Sequence, residues 1–398
     1  MIHRKVLFLL LPVICLSLLG SVRFGAKASP TIIKVPQDYT TIQEAINHAN
    51  PGDTVSVSAG TYYENLSIDK NLTLTGENRE TTILNGGGCC GIEAISTNVT
   101  ITGFKILNVT TGIYVEQSNG SMISHNDITA SQRGIWLYYS NNSIVSDNVI
   151  HDVAWRGIVL CGGSSENTII LNTVRDCGNG IVLSGEGNFI FHNNFINNGN
   201  QTGFIPSFYN AWNDTYEGNY WSDYNGTDAN QDGIGDTPYL IDENNQDNHP
   251  LMGMFSQFEI TKQAQTYTVT TICNSTITNF AYGTPYTGEI SFNTTGLEGT
   301  EGFCRIVIPN ALFDHNYTIL VDGSPPLTQK ELPLSNSTDI YLYFTFANTT
   351  HSIIIVPEFP TMFILSIIVL GIPTALVIIK RRFKTRTDKI KIKAPPQK

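Results

Sequence analysis

Two short stretches set acid, base and cation side by side: His151-Asp152 followed by Arg156, and Arg175-Asp176, with Arg133 upstream. Two carboxylates held close together repel, which pushes one pKa up and permits the acid/base chemistry of sugar-cleaving enzymes. Asp152, Asp176, Arg156, Arg175 and His151 are therefore the candidate catalytic set. Whether the two aspartates meet depends on register. Counted forward from Asn148 and Asn172, Asp152 falls on Asp176 and His151 on Arg175. Counted back from Gly157 and Gly180, Asp152 falls on Arg175, giving a salt-bridge ladder without catalytic meaning. The sequence leaves both registers open.

A second constellation could hold a metal. Asp228, Asn230 and Asp232 stand at positions 1, 3 and 5 of a loop with Gly233 at position 6, the spacing that opens an EF-hand-like Ca²⁺ site. Ile234 would supply a backbone carbonyl and Asp236 falls at position 9. Tyr239 stands where the bidentate Glu belongs, so any Ca²⁺ loop here is shorter than an EF-hand; Asp242 is a candidate to complete it. Copper needs soft or imidazole ligands. Met122, His125, His151, His192, Cys161 and Cys177 are scattered, and Cys161 and Cys177 do not stack in the repeat, so copper binding is not expected. The vicinal Cys89-Cys90 reads as a turn with two buried thiols.

These residues must be positioned by a repeat. Gly112-Ile-Tyr-Val, Gly134-Ile-Trp-Leu, Gly157-Ile-Val-Leu and Gly180-Ile-Val-Leu recur at 22 or 23 residues, and Asn126, Asn148, Asn172 and Asn194 each open an Asn-x-Ile/Val. Short apolar alternation at a fixed period of this length predicts a solenoid of stacked β-strands, about 4.8 Å per coil. Ile113/Val115, Ile135/Leu137, Ile158/Leu160 and Ile181/Leu183 are the predicted inward pairs, with the asparagines at tight, left-handed corners. Upstream, Thr41 and Glu44 form a capping box, and Ile42, Ala45, Ile46 and Ala49 line a short helix expected to plug the open end. Downstream, Phe204, Phe208, Tyr209, Trp212, Tyr216, Tyr220, Trp221 and Tyr224 read as a cap on the far end rather than a sugar platform. From 255 to 356 the period stops and alternating strands predict a small β-sandwich, with Cys273 and Cys304 expected to form a disulfide.

The entry segment VPQDYTTIQEAINHANPGDTVSVSAGTYYENLSIDKNLTLTGEN, the Gly-Ile and Asn-x-Ile coils, and the closing GNYWSDYNGTDANQDGIGDTPYLIDENNQDNHPLM together resemble the NosD-type family of pectin-lyase-like, right-handed parallel β-helices, also described as carbohydrate-binding and sugar-hydrolase (CASH) repeats. The resemblance covers about residues 32–252. It implies an all-β fold, a right-handed parallel β-helix over 29–254 with an N-terminal capping helix. It says little about activity, because this scaffold carries lyases, hydrolases, epimerases and non-catalytic proteins alike. The NosD name is also linked with copper-site maturation.

The termini give the expected location. Residues 1–28 carry Arg4 and Lys5, an apolar run and Ala26-Lys27-Ala28, and read as a signal peptide. Residues 361–379 are apolar enough to span a bilayer, and the basic tail 380–398 should stay in the cytoplasm. Val356-Pro-Glu358-Phe359-Pro360 before that run resembles the PEF-type archaeal sorting signals that an archaeosortase cleaves. Between residues 29 and 379 there are 10 basic and 33 acidic residues, a net charge of about −23 that excludes nucleic acid as a partner and counts against polyanionic sugars unless Ca²⁺ bridges them. Sequons at Asn65, Asn71, Asn98, Asn108, Asn119, Asn141, Asn200, Asn213, Asn225, Asn274, Asn293, Asn316, Asn336 and Asn348 fit an outside location. So do the cysteines after residue 28, which are even in number. The leading expectation is a membrane-anchored surface protein that binds extended carbohydrate or a cell-envelope polymer without strong catalysis. A polysaccharide lyase, hydrolase or epimerase, a structural or adhesive envelope element, and a copper-binding protein are the alternatives.

Overall fold

A computed structural model describes residues 29–203, 208–283, 288–313 and 317–357. The expected signal peptide, membrane span, sorting motif and basic tail, with Phe204 and Asn316, lie outside the described residues. Among the described residues no helix is long and apolar enough to cross a membrane.

The repeat folds as a parallel β-solenoid with three faces. The first face is a sheet of eight parallel strands, from Ile32–Val35 to Phe189–Phe191. The second and third faces belong to one 13-stranded sheet, because the long strands Lys105–Glu116 and Asp127–Tyr138 run round the corner between them. The predicted inward pairs point inward: Ile113, Val115, Ile135, Leu137, Ile158, Leu160, Ile181 and Leu183 are all fully buried. Each such side chain contributes about 1.5–3 kcal/mol of transfer free energy. The recurring glycine has a steric cause. A Cβ on Gly134 would lie 2.6 Å from the carbonyl oxygen of Gly157 and 2.4 Å from a methyl of Ile150, and Gly112 and Gly157 are equally confined. Adjacent coils approach too closely there for any side chain.

The asparagines form a buried ladder. Asn126, Asn148, Asn172, Asn193 and Asn219 are all fully buried, and each of the first four donates from Nδ2 to the Oδ1 above it at 2.9–3.0 Å. Two expectations are corrected here. The ladder passes through Asn193, not Asn194, because the coil between Asn172 and Asn193 is shorter; Asn194 stacks on Thr173. The left-handed backbone belongs to the preceding residues His125, Asp147, Leu171 and His192, with φ near 50–62°. A second ladder runs through Asn167, Asn188 and Asn210.

Both ends are covered. Helix α1 (Ile42–His48) starts at Thr41, whose side chain accepts from the Glu44 N–H, and buries Ile42, Ala45 and Ile46 against the first coil. At the other end Trp212 and Trp221 are buried, and Trp221 stacks between Phe195 and Tyr239 at 4.7 and 4.5 Å. The downstream aromatics that carry this burial are a cap. Asn245 and Asp247 terminate the two ladders: Asn245 accepts from Asn210 and Trp212, and Asp247 from Asn219 and Trp221.

The strands from Met254 to Pro357 form a five-stranded and a four-stranded antiparallel sheet with a shared core that includes Phe292, Phe344, Ile306 and Ile355. Cys273 and Cys304 are direct cross-strand partners and both buried, and they stand as two thiols in this structure; Cys89 is exposed and Cys90 half-buried, not the buried pair expected. The unit docks on the last coil. Asn194 brackets the Phe255 backbone with two hydrogen bonds, Phe255 stacks on His192, and the buried Arg305 pairs with Glu217 at 2.5 Å. Asn348 is the sequon that departs from expectation. It is 3% exposed and its amide is bonded to Ser275 and Thr300, so it is not available to a glycan in the folded protein.

Candidate functional site

The second face carries the charged column. Strand Val149–His151 pairs with Thr173–Arg175 so that His151 opposes Arg175, which sets Asp152 over Asp176. The register is the one with aspartate above aspartate, but the chemistry expected from it does not follow. Asp152 turns to His151, Nδ1 to Oδ2 at 2.7 Å, and Asp176 turns to Arg175 at 2.9 Å. The hydrogen bond from His151, and then its charge, hold the Asp152 carboxyl below the usual carboxylate range. It is fully exposed, not raised and poised as an acid. His151 also reaches Asp127 at 2.9 Å, and Asp127 accepts from Lys105 at 3.1 Å. The result is a chain of paired charges across three coils.

Arg156, placed in the same set by sequence proximity, lies on a different face. At Asp152 (φ 54°) the backbone turns, Val153 drops into the core, and the chain emerges on the third face. There Arg156 opposes Arg133, as their shared position before Gly-Ile requires. Neither makes an ion pair with Asp152, Asp176 or any other carboxylate among the described residues.

The third face holds what the sequence reading passed over. The residue after each Gly-Ile points outward, so Tyr114 and Trp136 lie one coil apart, their rings tilted by 44° with centroids 4.7 Å apart. Trp136 neighbours Tyr138 at 5.8 Å, and Tyr138 neighbours Tyr139 at 4.4 Å. Trp155, 41% exposed, stands at the corner, with the Arg156 guanidinium 4.0 Å and the Arg133 guanidinium 4.6 Å from its ring; Arg133 also lies 4.3 Å from Trp136. Trp136 donates to the Cys161 sulfur. The result is a strip of rings and two cations across two to three rungs. The outward slot of the Gly-Ile-x-Leu repeat was the signal that could have found it.

The loop proposed for Ca²⁺ folds on itself. Asp228 accepts from the Asp232 and Gly233 N–H groups, Asp232 from Ile234, and Asp236 from Ala229 and Thr227. Burial raises the Asp228 carboxyl above its ordinary value, and the charges of Asp232 and Asp236 add to this.

A three-faced parallel solenoid with buried asparagine ladders and an aromatic outer strip defines a parallel β-helix protein. Residues 33–226 match the family described as periplasmic copper-binding protein (NosD), and this part of the chain is a NosD-type β-helix domain. The chain is similar to a "cell surface glycoprotein" of Methanothermus fervidus, 29% identical over 47% of this chain and 33% of that protein. It is also similar to the "probable ABC transporter binding protein NosD" of Stutzerimonas stutzeri, 34% identical over 28% and 29%. The matched stretch spans a third or less of these curated relatives' lengths. A capsular polysaccharide depolymerase tailspike from Acinetobacter baumannii bacteriophage Fri1 aligns at 8% identity over 84% of this chain and 85% of its own, with a TM-score of 0.33. That likeness is too loose to carry an argument.

The described residues do not fit copper. His125 bonds to Asp147, His151 to two aspartates and His192 to Glu217, and Cys161 and Cys177 are apart. Among the described residues no three His, Cys, Asp or Glu side chains gather as a metal set.

Proposed function

We propose that the chain is a cell-surface NosD-type protein whose third face binds extended carbohydrate without strong catalysis, held outside the membrane by its C-terminal apolar segment. The observation that carries this reading is the strip Tyr114, Trp136, Tyr138 and Tyr139 with Trp155: flat rings on successive rungs, outward, on a solenoid whose other outward positions are mainly Ser, Thr and Asn. Tyr139 and Trp155 are exposed and Tyr114, Trp136 and Tyr138 half-buried, and such rings offer an apolar face beside a polar edge, which suits a sugar ring. The paired state of Asp152 and Asp176 favours binding over turnover. The name of the Methanothermus fervidus relative and the exposed sequons support a surface location.

The test is a glycan array probed with the full-length chain, purified in detergent, beside Trp136→Ala and Trp155→Ala. At least a tenfold loss in each variant is expected, about 1.4 kcal/mol. Glycan binding undiminished in both variants would remove the third face from the reading.

A further inference from the structure

The third face carries an electrostatic anomaly. Five arginines lie among the described residues, and Arg79, Arg175 and Arg305 each face a carboxylate at 2.5–3.8 Å. Arg133 and Arg156 face none, although the chain is rich in acid and Glu93 and Glu116 lie on the same face. Their Nε atoms are buried without a hydrogen-bond partner. They are also register partners on adjacent rungs, with backbones about one strand spacing, ~4.8 Å, apart, and both guanidinium groups lie within 4.6 Å of the one Trp155 ring. Such a pair is repulsive unless something anionic sits over it. The Arg156 guanidinium lies over Trp155 and the Arg133 guanidinium over both Trp155 and Trp136. With Nε buried, the terminal Nη groups are the donors left for the end-on bidentate contact that guanidinium makes with planar oxyanions.

We infer that the saccharide taken up on this face is acidic, and that Arg133 and Arg156 are specificity-determining residues that engage anionic groups on it while Trp136 and Trp155 hold the sugar rings. This inference rests on the carbohydrate reading above and names its substrate class. It also revises the expectation that the acidic net charge counts against polyanionic sugars unless Ca²⁺ bridges them: the net charge is global, whereas these two cations are local and within a Debye length of the bound group.

The experiment compares binding of the full-length chain to matched neutral, uronate-bearing and sulfated oligosaccharides at low and high NaCl, with Arg133→Gln/Arg156→Gln and Arg133→Lys/Arg156→Lys beside it. The expected result is at least tenfold tighter binding of an acidic glycan than its neutral counterpart. That preference should be lost in the Gln pair, partly restored in the Lys pair, and reduced by salt. The uronate and sulfate arms identify which acidic group is read, and preference for either supports the inference. Equal binding of neutral and acidic glycans, unchanged by the Gln pair, would overturn it and leave the carbohydrate reading standing. No glycan bound at all would overturn the carbohydrate reading and this inference together. Should the Gln pair fail to fold by circular dichroism, the salt dependence of the unaltered protein decides alone: affinity for the acidic glycan that does not fall with salt overturns the inference.

Discussion

At the residue scale, stacking does not dictate titration. Asp152 and Asp176 occupy the register that would make a carboxyl pair, yet each has its own hydrogen-bonding neighbour, His151 and Arg175, and neither needs to share a proton with the other. The Asp152 carboxyl is expected to titrate by NMR below the ordinary Asp value of about 3.9; a midpoint above 5 would restore the acid/base reading. A depressed carboxyl adds stability above its unfolded value and loses it as pH falls through the folded one, so this group contributes nothing to stability changes near neutrality. Its small share is further discounted by its exposure. The positions of these charges were legible only in part. The Arg133–Arg156 stacking followed from the Gly-Ile period. Their separation from His151 and Asp152 did not, because a single left-handed residue and one inward Val turn the chain onto another face, and that turn leaves no mark in composition.

At the element scale the asparagine ladder does the work that a hairpin turn does in an antiparallel sheet. Asn148 Oδ1 accepts from the backbone and side chain of Asn126, and its Nδ2 donates to the Ile123 carbonyl. Asn148→Ala leaves these groups unpaired and is expected to cost about 3 kcal/mol or more in chemical denaturation, since each buried orphan costs about 1–3 kcal/mol. The outward Thr173→Ala should cost well under 1 kcal/mol. Repeat spacing exposed this ladder in the sequence as far as Asn172. Beyond it the shortened coil moved the ladder to Asn193 while leaving an equally plausible Asn194 beside it. The ladder's terminus makes a pH prediction. Burial lifts the Asp247 carboxyl to about 6, despite donors from Asn219, Trp221 and His249. The folded chain therefore holds that proton more tightly than the unfolded chain. The resulting stability is fully present below the ordinary carboxylate value and is lost as pH rises through about 6, about 3 kcal/mol in all. Melting temperature should fall between about pH 4 and pH 6, and Asp247→Asn should flatten that slope. Glu217 does not interfere in this window. Burial would raise its carboxyl, but the His192 hydrogen bond and the Arg305 charge outweigh it and hold the group low, so its effect appears only in more acid solution.

At the scale of the whole molecule, the solenoid and the antiparallel sheets meet at the closing segment. The Asp228–Asp236 loop lies at that junction: Lys330 donates to the Asn230 carbonyl, and a Cβ on Gly233 would touch Arg305. Burial and the charges of Asp232 and Asp236 crowd the Asp228 carboxyl electrostatically and raise it. A divalent cation that relieves this crowding would bind the folded state alone and stabilise it by mass action. Millimolar Ca²⁺ is expected to raise the melting temperature of the intact chain by several degrees, and Asp232→Asn to abolish the shift; calorimetry without heat and a melt without displacement would sink Ca²⁺ here. The overall plan of solenoid, caps and sheets was readable from period and aromatic clustering, whereas the docking of Arg305 on Glu217 pairs residues 88 apart and has no local sequence signal. The glycine spine has a further consequence. Because each coil meets its neighbours through the same close approach at Gly112, Gly134, Gly157 and Gly180, the molecule can grow only in whole turns. Duplicating one period would lengthen the face by about 4.8 Å and leave both caps unchanged. An insertion of half a period within a strand would throw every inward column out of step. The chain is thus a ruler with a fixed unit, and the length of outer face it presents is set by counting turns.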